Sequence, residues 1–511
     1  MLVVTSEEIK SVENISTEDF LITEELLMER AGISVVQAIW NEYGDFKRKN
    51  FVVICGSGNN GGDGYVIARD LLNYTEAVRV IATGKPKSEV AKRNYERYMR
   101  HGGIVYFYDD SENSMDLENI TKIISSADIV IDAIFGIGLK SPIKDEKILQ
   151  LVEIINIYSN IVVSVDIPSG VNADDGKIMG GAVQANMTVT FGFPKPCHLL
   201  FPGRDLTGKL KIAQIGFPSQ IFSSSNNFRR FLITSSLIKL PSRPKWAHKK
   251  TFGEVIIIGG SKDYLGAPIL SALGALKSGA GIVKIIAPSE VCGVAISHDP
   301  SLICYKVDKF SLENVKNKLQ ELSEKTVVVV GPGWGQDDID GKLEILKYLI
   351  NEIPNTIIID ADGLNIISKN INLLKSKHIG KQIIITPHPG EFSRLSDKPL
   401  SNVKQNYVLA EKFSNDFNVI TVLKDATTII TDGKSTYFNT SGNTSLAKAG
   451  SGDILSGIIA SFVSQNLEAL EAAKTAIYTL GTAAENLKIE GMNSSFDVIE
   501  NLSTVYYNLY D

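Results

Sequence analysis

The sequence predicts an α/β protein made of two layered domains, and three observations carry that expectation. Short, apolar, β-branched runs recur along the chain, most of them closing on glycine, with helix-compatible stretches between. The pattern lapses once, at 217–232, where FPSQIFSSSNNFRRFL is rich in serine and asparagine and reads as a linker. The polar, glycine-rich loops all follow strands, and in open α/β sheets ligands bind at the carboxyl ends of the strands. A chain of 511 residues also exceeds what a single core usually supports.

The opening segment, TSEEIKSVENISTEDFLITEELLMERAGISVVQAIW, has helical spacing, and Thr5 with Glu8 suits a capping box. Strands are then expected at FVVICG, at 78–84, 127–136, 160–170 and 187–194. A second series runs through 253–260, 281–288, 326–333, 355–363, 381–390 and 419–431. Almost continuous apolar strands alternating with helices mean mostly parallel sheets covered on both faces. Each half is therefore expected to carry its own site at a sheet edge.

Composition bounds the partners. Hydrophobic residues make up 44% and charged residues 22%, ordinary for a globular protein. A formal net charge of −6 argues against a dedicated nucleic-acid binder. The four cysteines form no C-x-x-C pair and read as reduced thiols. MLVVTSEEIK carries acidic residues where a secretory signal would be basic, and no apolar run is long enough to cross a bilayer. The expectation is a cytoplasmic protein with small-molecule substrates, a homo-oligomer without nucleic-acid or membrane partners.

In the first half, VVICGSGNNGGDGYVIARDL contains the dinucleotide-binding spelling G-x-G-x-x-G. A plain dehydrogenase fails a direct check, because the next strand ends in Thr83 and Gly84 rather than in a ribose-binding acid. Asn59, Asn60 and Asp63 would crowd a pyrophosphate, and suit a hard cation or sugar hydroxyls better. The plainer alternative is a pair of Asn-Gly and Asp-Gly turns with no ligand. Asp132, Asp166 and Ser169 lie at two further strand ends, although Asp132 taken alone could be a helix N-cap.

GSGNNGGDGYVIARDL, DAIFGIGLKSP, SVDIPSGVNADDG and TVTFGFPKPCHLLFPGRDLTG, with LMERAG upstream, resemble the N-terminal domain of the YjeF family, the NAD(P)H-hydrate epimerase. The resemblance implies a Rossmann-like three-layer domain over residues 1–218. It implies potassium held by Asn60, Asp132 and Ser169. Asn59, Asn60, Gly61, Gly62 and Asp63 would contact the hydrated nicotinamide nucleotide, with the loop Gly136, Ile137, Gly138, Leu139, Lys140, Ser141, Pro142 and with Asp166. Epimerisation needs a group that protonates a leaving hydroxyl and deprotonates the returning water; Asp166 is nominated, and the alternative is that it only binds substrate hydroxyls.

In the second half, AKAGSGDILSGIIASFV places Gly450, Ser451 and Gly452 before a helix whose free amides form an anion site. Asp453 could take a proton from a hydroxyl being phosphorylated, or merely favour the helix dipole. G-x-G-D opening a helix after α/β strands resembles the ribokinase-like superfamily. With HKKTFGEVIIIGGSKDYLGAP, VVVVGPGWG, IIIDADGLN and ITPHPGEFSRL, residues 229–490 resemble the ADP- or ATP-dependent NAD(P)H-hydrate dehydratase, so a ribokinase-like α/β domain is expected over 229–511.

The resemblance implies a hydrate site at Ala267, Gly333, His388 and Asp453. It implies a nucleotide site for ADP or ATP at Lys424, Asp425, Ala426, Thr427, Thr428 and Gly452. Mg2+ is expected because a nucleotide phosphate is transferred, with no clear ligand set. Lys424 could equally be a surface turn residue, and His388 a structural hydrogen-bonder. Trp334 stands where a smaller residue is expected and would reshape a pocket wall. The rival reading is a ribokinase-like small-molecule kinase carrying an N-terminal regulatory or binding module.

Overall fold

Successive residues of the run FVVIC enter two different cores. Phe51, Val53 and Cys55 pack with Val35, Ile39 and Tyr65, while Val52 and Ile54 pack with Ile124, Leu151 and Ile155. A strand buried on both faces needs helices on both sides, as its unbroken apolar pattern predicts. The computed structural model describes residues 1–108, 115–224 and 228–510. It divides into Leu2–Phe228 and a second unit of Arg229–Asp511 together with Met1.

The first unit holds β1 (Phe51–Cys55), β2 (Val78–Ala82), β3 (Ile104–Phe107) and β4 (Ile129–Ala133). β5 (Val162–Val165), β6 (Met187–Phe191) and β7 (Lys209–Ala213) complete it. Their order is β3-β2-β1-β4-β5-β6-β7, parallel throughout. The order reverses between β1 and β4, and at such a switch point a crevice opens beyond the carboxyl ends. The loops nominated from the sequence all leave strands at this end.

The second unit contains β8 (Arg230–Leu232), β9 (Glu254–Ile258), β10 (Ile282–Ala287), β11 (Ile303–Lys306) and β12 (Thr326–Val330). β13 (Ile357–Ile359), β14 (Ile383–Ile385), β15 (Ile420–Leu423), β16 (Thr428–Thr431) and β17 (Thr436–Asn439) follow. The sheet order is β11-β10-β9-β12-β13-β14-β15-β16-β17-β8. Pairing is parallel from β11 to β15, antiparallel through β15-β16-β17, and parallel again from β17 to β8.

Two sequence expectations change. The run 419–431 is not one strand but the hairpin β15–β16, with Lys424 to Thr427 as its turn. The stretch 217–232 is not all linker: Ser219–Ser224 is helical and Arg230–Leu232 is the edge strand β8, while 225–227 lie outside the described residues.

The helix Ser451–Ser464 is buried along most of its length and packs closely on Gly266–Lys277. A Cβ on Gly457 would stand 1.9 Å from the Ser271 carbonyl oxygen, so only glycine permits that approach. The packing fixes where the helix's amino end points. Among the described residues, no helix is long and apolar enough to cross a membrane.

Candidate active sites

The first cluster grows from the register of β4 and β5. Asp132 pairs with Ser164 across the sheet, and the Ser164 hydroxyl donates to Asp132 Oδ2 at 2.8 Å. The turn after β5 brings Ser169 back, so its amide (2.8 Å) and hydroxyl (2.5 Å) donate to the same carboxylate. The Phe135 amide in turn donates to Ser169 Oγ at 2.8 Å. Asp132 is fully buried; burial pushes its carboxyl up, opposed by hydrogen-bond donors alone and by no cation. Asn60 reaches the next residue of the same loop, since a Cβ on Gly136 would stand 3.2 Å from its Oδ1. The Asn60 amide nitrogen is buried without an acceptor.

Asn59 to Asp63 are not a loop ahead of a helix, as the sequence suggests, but its opening turns: the helix is Asn59–Leu71, with Gly58 as N-cap. Gly61 allows this, for a Cβ there would meet the Gly56 carbonyl oxygen at 1.9 Å. Gly62 faces the other way, towards Met28 and Ala91, where only its backbone remains free for a ligand. Gly138, Lys140, Ser141 and Pro142 are exposed, and Ile137 and Leu139 half-buried. The 136–142 loop is tied down by Ile143, whose amide donates to Met179 O at 2.8 Å.

Asp166 follows β5 at φ 64°, a left-handed conformation that a non-glycine residue adopts at a cost. Its Oδ1 accepts from Lys195 Nζ at 2.6 Å and from Thr190 Oγ1 at 2.9 Å. Burial would raise its carboxyl, but the Lys195 ammonium outweighs that and holds it below the usual aspartate value. Lys195 is itself buried and also donates to Phe191 O. His198 Nδ1 accepts the Lys195 amide at 3.0 Å and Nε2 lies 2.9 Å from Asp166 O, a fully bonded neutral imidazole. Two more carboxyls face Asp166. Burial and then the Asp166 charge push Glu13 up to about 7, and burial with Asp166 and Glu13 pushes Asp63 well up.

The sequence reading missed Lys195, His198 and Glu13. The first two are the polar residues of GFPKPCHLLFPG, an otherwise apolar stretch after a strand, which is a readable signal. Glu13 is one of several acids on an amphipathic helix, and nothing local distinguishes it.

In the second unit Gly450 caps Ser451–Ser464 at φ 96°, which leaves Ser451, Gly452 and Asp453 as its first turn. The Ser451 hydroxyl there is buried and unpartnered, as are those of Ser261 and Thr386. Lys424 is not a surface residue: its Nζ bonds Asp360 Oδ1 at 3.0 Å and would stand 2.9 Å from a Cβ on Gly452. Burial, then the Asp360 charge, pushes Asp453 up to about 7. Glu391 likewise rises to about 7 through burial, and its Oε2 accepts the His388 amide at 2.8 Å. His388 is lowered by burial and then by Lys424, which places it at the same cluster.

Ala267 and Gly333 are also brought together, with a Cβ on Gly333 at 3.0 Å from that of Ala267. Asp425 turns one oxygen onto the Ala426 amide at 2.8 Å and leaves Oδ2 buried and unpartnered; Thr427 and Thr428 are buried and Ala426 is exposed. Trp334 lines no pocket wall: it is wholly buried, edge-on to Phe310 at 5.5 Å. Asp360 and Glu391 were quoted within their motifs and not nominated.

Mostly parallel sheets with polar clusters at their carboxyl edges, the second built around a helix terminus and a raised carboxyl, define a two-site α/β enzyme. Residues 24–197 match the family model of the YjeF-related protein N-terminus, and residues 255–500 that of NAD(P)H-hydrate dehydratase. The bifunctional NAD(P)H-hydrate repair enzyme Nnr of Moorella thermoacetica is 33% identical over 499 residues, covering 95% of this chain and 92% of that protein. Its namesake in Escherichia coli is 31% identical, covering 90% and 85%. An ADP/ATP-dependent NAD(P)H-hydrate dehydratase from Bacillus subtilis, crystallised with ATP and Mg2+, aligns at 25% identity and TM-score 0.48, over 55% of this chain and 98% of that one.

The chain belongs to the family of bifunctional NAD(P)H-hydrate repair enzymes. Its first unit has the Rossmann-like strand order, and its second is the mostly parallel α/β domain that the family model of NAD(P)H-hydrate dehydratase matches.

Proposed function

We propose that the first unit interconverts the two epimers of hydrated NADH and NADPH, and that the second dehydrates the S form to NAD(P)H at the expense of ADP or ATP. The observation that supports this best is Asp453, a carboxyl near neutrality in the first turn of a helix and beside a lysine. In that position it takes the proton of the substrate hydroxyl as the phosphoryl group arrives. The helix amides and Lys424 stabilise the transferring charge. Phosphate then leaves, pushed by the ring-nitrogen lone pair; the neighbouring carbon gives up a proton, and the ring double bond returns. Magnesium enters with the nucleotide phosphates.

In the first unit, the nitrogen lone pair expels the hydroxyl and water returns to the opposite face. Asp166, kept ionised by Lys195, receives the proton of the incoming water, while a protonated carboxyl, Glu13 or Asp63, supplies the one that departs. Potassium suits the oxygen set of Asn60, Asp132 and Ser169. The orphaned Asn60 nitrogen supports that fit, since the reversed amide would turn its oxygen to the same place. Once bound, the ion supplies fixed positive charge to an acidic pocket.

The test gives purified protein both epimers of hydrated NADH with Mg2+ and ADP or ATP. Complete conversion to NADH is expected, and Asp166→Ala should stall once the S epimer is consumed. Nucleotide consumed without NADH would establish the small-molecule kinase instead.

A further inference from the structure

A lysine ammonium at the amino end of a helix is in the wrong place electrostatically, because the dipole there favours anions. Lys424 nevertheless sits there, largely buried, with Nζ against Gly452. Its backbone is anchored elsewhere, its amide donating a hydrogen bond to Pro387 O at 2.9 Å. The side chain is therefore held by a partner.

That partner is Asp360, which directly follows β13 and is 1% exposed. Its amide donates to Val330 O at 3.1 Å, and its Oδ1 accepts Lys424 Nζ at 3.0 Å and the Ala361 amide at 2.9 Å. Ala361 is held at φ 48°, a strained conformation that persists only where its surroundings over-determine it. The carboxylate is thus fixed from its backbone outwards.

We propose that Asp360 is a positioning residue for the dehydratase reaction: it tethers the Lys424 ammonium at the amino end of Ser451–Ser464, facing the incoming phosphoryl group, and keeps it from closing onto Asp453. This rests on the dehydratase reading of the second unit. An ammonium paired directly with Asp453 would neutralise the base; shared with Asp360, it stays available to the phosphate. The charges acting on Asp453 agree: Asp360, Glu391 and Asp362 push its carboxyl up and Lys424 pulls it down. Asp360 and Glu391 also keep Lys424 charged against its burial.

The experiment is the pH dependence of kcat/KM for nucleotide-dependent formation of NADH by the full chain, which falls on the acid side as the base takes up its proton. Asp360→Asn removes a charge that raises Asp453 and frees Lys424 to pair with it, so the acid limb should move down by about one pH unit. At pH 8 kcat should fall roughly tenfold or more, with the KM for hydrated NADH changed by less than about twofold. Lys424→Gln should move the limb up instead. Glu391, whose own titration contributes to the limb, is present in both variants.

A purely structural Asp360 would lower activity without moving the limb, so a limb within about 0.3 unit of wild type in Asp360→Asn overturns the proposal. If that variant does not fold, Asp360→Ser takes its place: a downward shift supports the tether and an unmoved limb sinks it. Failure of the wild-type chain to form NADH at all would instead remove the dehydratase reading.

Discussion

Asp166 and Asp453 both lie close to a buried lysine, yet their carboxyls are driven in opposite directions. Lys195 donates directly to Asp166 at 2.6 Å and holds it ionised. Lys424 donates to Asp360, and Asp453, raised by burial and then by more negative than positive neighbours, stands at about 7. Dehydratase activity should therefore rise with pH through about 7, as the folded carboxyl loses its proton. A carboxyl raised on folding costs stability above its unfolded value, so Asp453→Asn should lower dehydratase kcat by about 10²–10⁴ while raising Tm at pH 8 by roughly 2 °C. Assay and melting curve on one preparation check both; a lowered Tm refutes the stability half.

His198 gives the reverse linkage. Burial and then Lys195 lower it from 6.5 to about 4, so the unfolded chain binds more protons between those values. The His198 contribution to the first unit's stability should fall by about 2 kcal/mol between pH 7 and pH 5, against the opposite linkage of the raised carboxyl Glu13. In urea unfolding, His198→Gln should therefore differ from wild type in its pH 7 to pH 5 stability change by about that amount. A change equal to that of wild type would show that His198 is not the group responsible. Strand-end and helix-start spelling is what nominates Asp166 and Asp453, and the structure buries both carboxyls in charged clusters. Lys424 and His388, at the Asp453 cluster, stand in motifs that single them out. Lys195 and His198, beside Asp166, are not singled out by the sequence, because a lone basic residue is ordinarily a solvated one.

At the level of elements, the buried strands were the legible part, since unbroken Val and Ile runs announce burial on both faces. Edge strands such as KLKIA and ICYK mix charge with apolar residues, are partly exposed, and carry no such signature. The hairpin inside 419–431 was hidden because its turn, KDAT, looks like a binding loop and not like the Asn-Gly type of hairpin turn. The contact between Ser451–Ser464 and Gly266–Lys277 was equally unreadable, yet it seats the turn that carries Asp453. In an exposed helix Gly457→Ala would gain about 1 kcal/mol of propensity. Here the new Cβ would stand 1.9 Å from a backbone oxygen, and overpacking of roughly 1–3 kcal/mol prevails. The variant should melt lower and lose about tenfold in dehydratase rate, with epimerase rate unchanged. A raised Tm would show that the two helices separate without cost.

For the whole molecule, the decisive feature is that each unit has its own sheet, its own core and its own cluster of opposed carboxyl and lysine charges. The two activities should then be separable by point substitution and recombinable by mixing. Full-length Asp166→Asn should consume the S epimer and stop; full-length Asp453→Asn should interconvert epimers and form no NADH. Mixed in equal amounts with nucleotide and Mg2+, they should carry both epimers to NADH at about half the wild-type rate or better, because the substrate that one chain epimerises diffuses freely to the other. The progress curve of NADH absorbance decides it. A mixture that stalls where Asp166→Asn alone stalls would mean that the epimerised substrate must pass within a single chain, and that the two clusters do not act as independent sites.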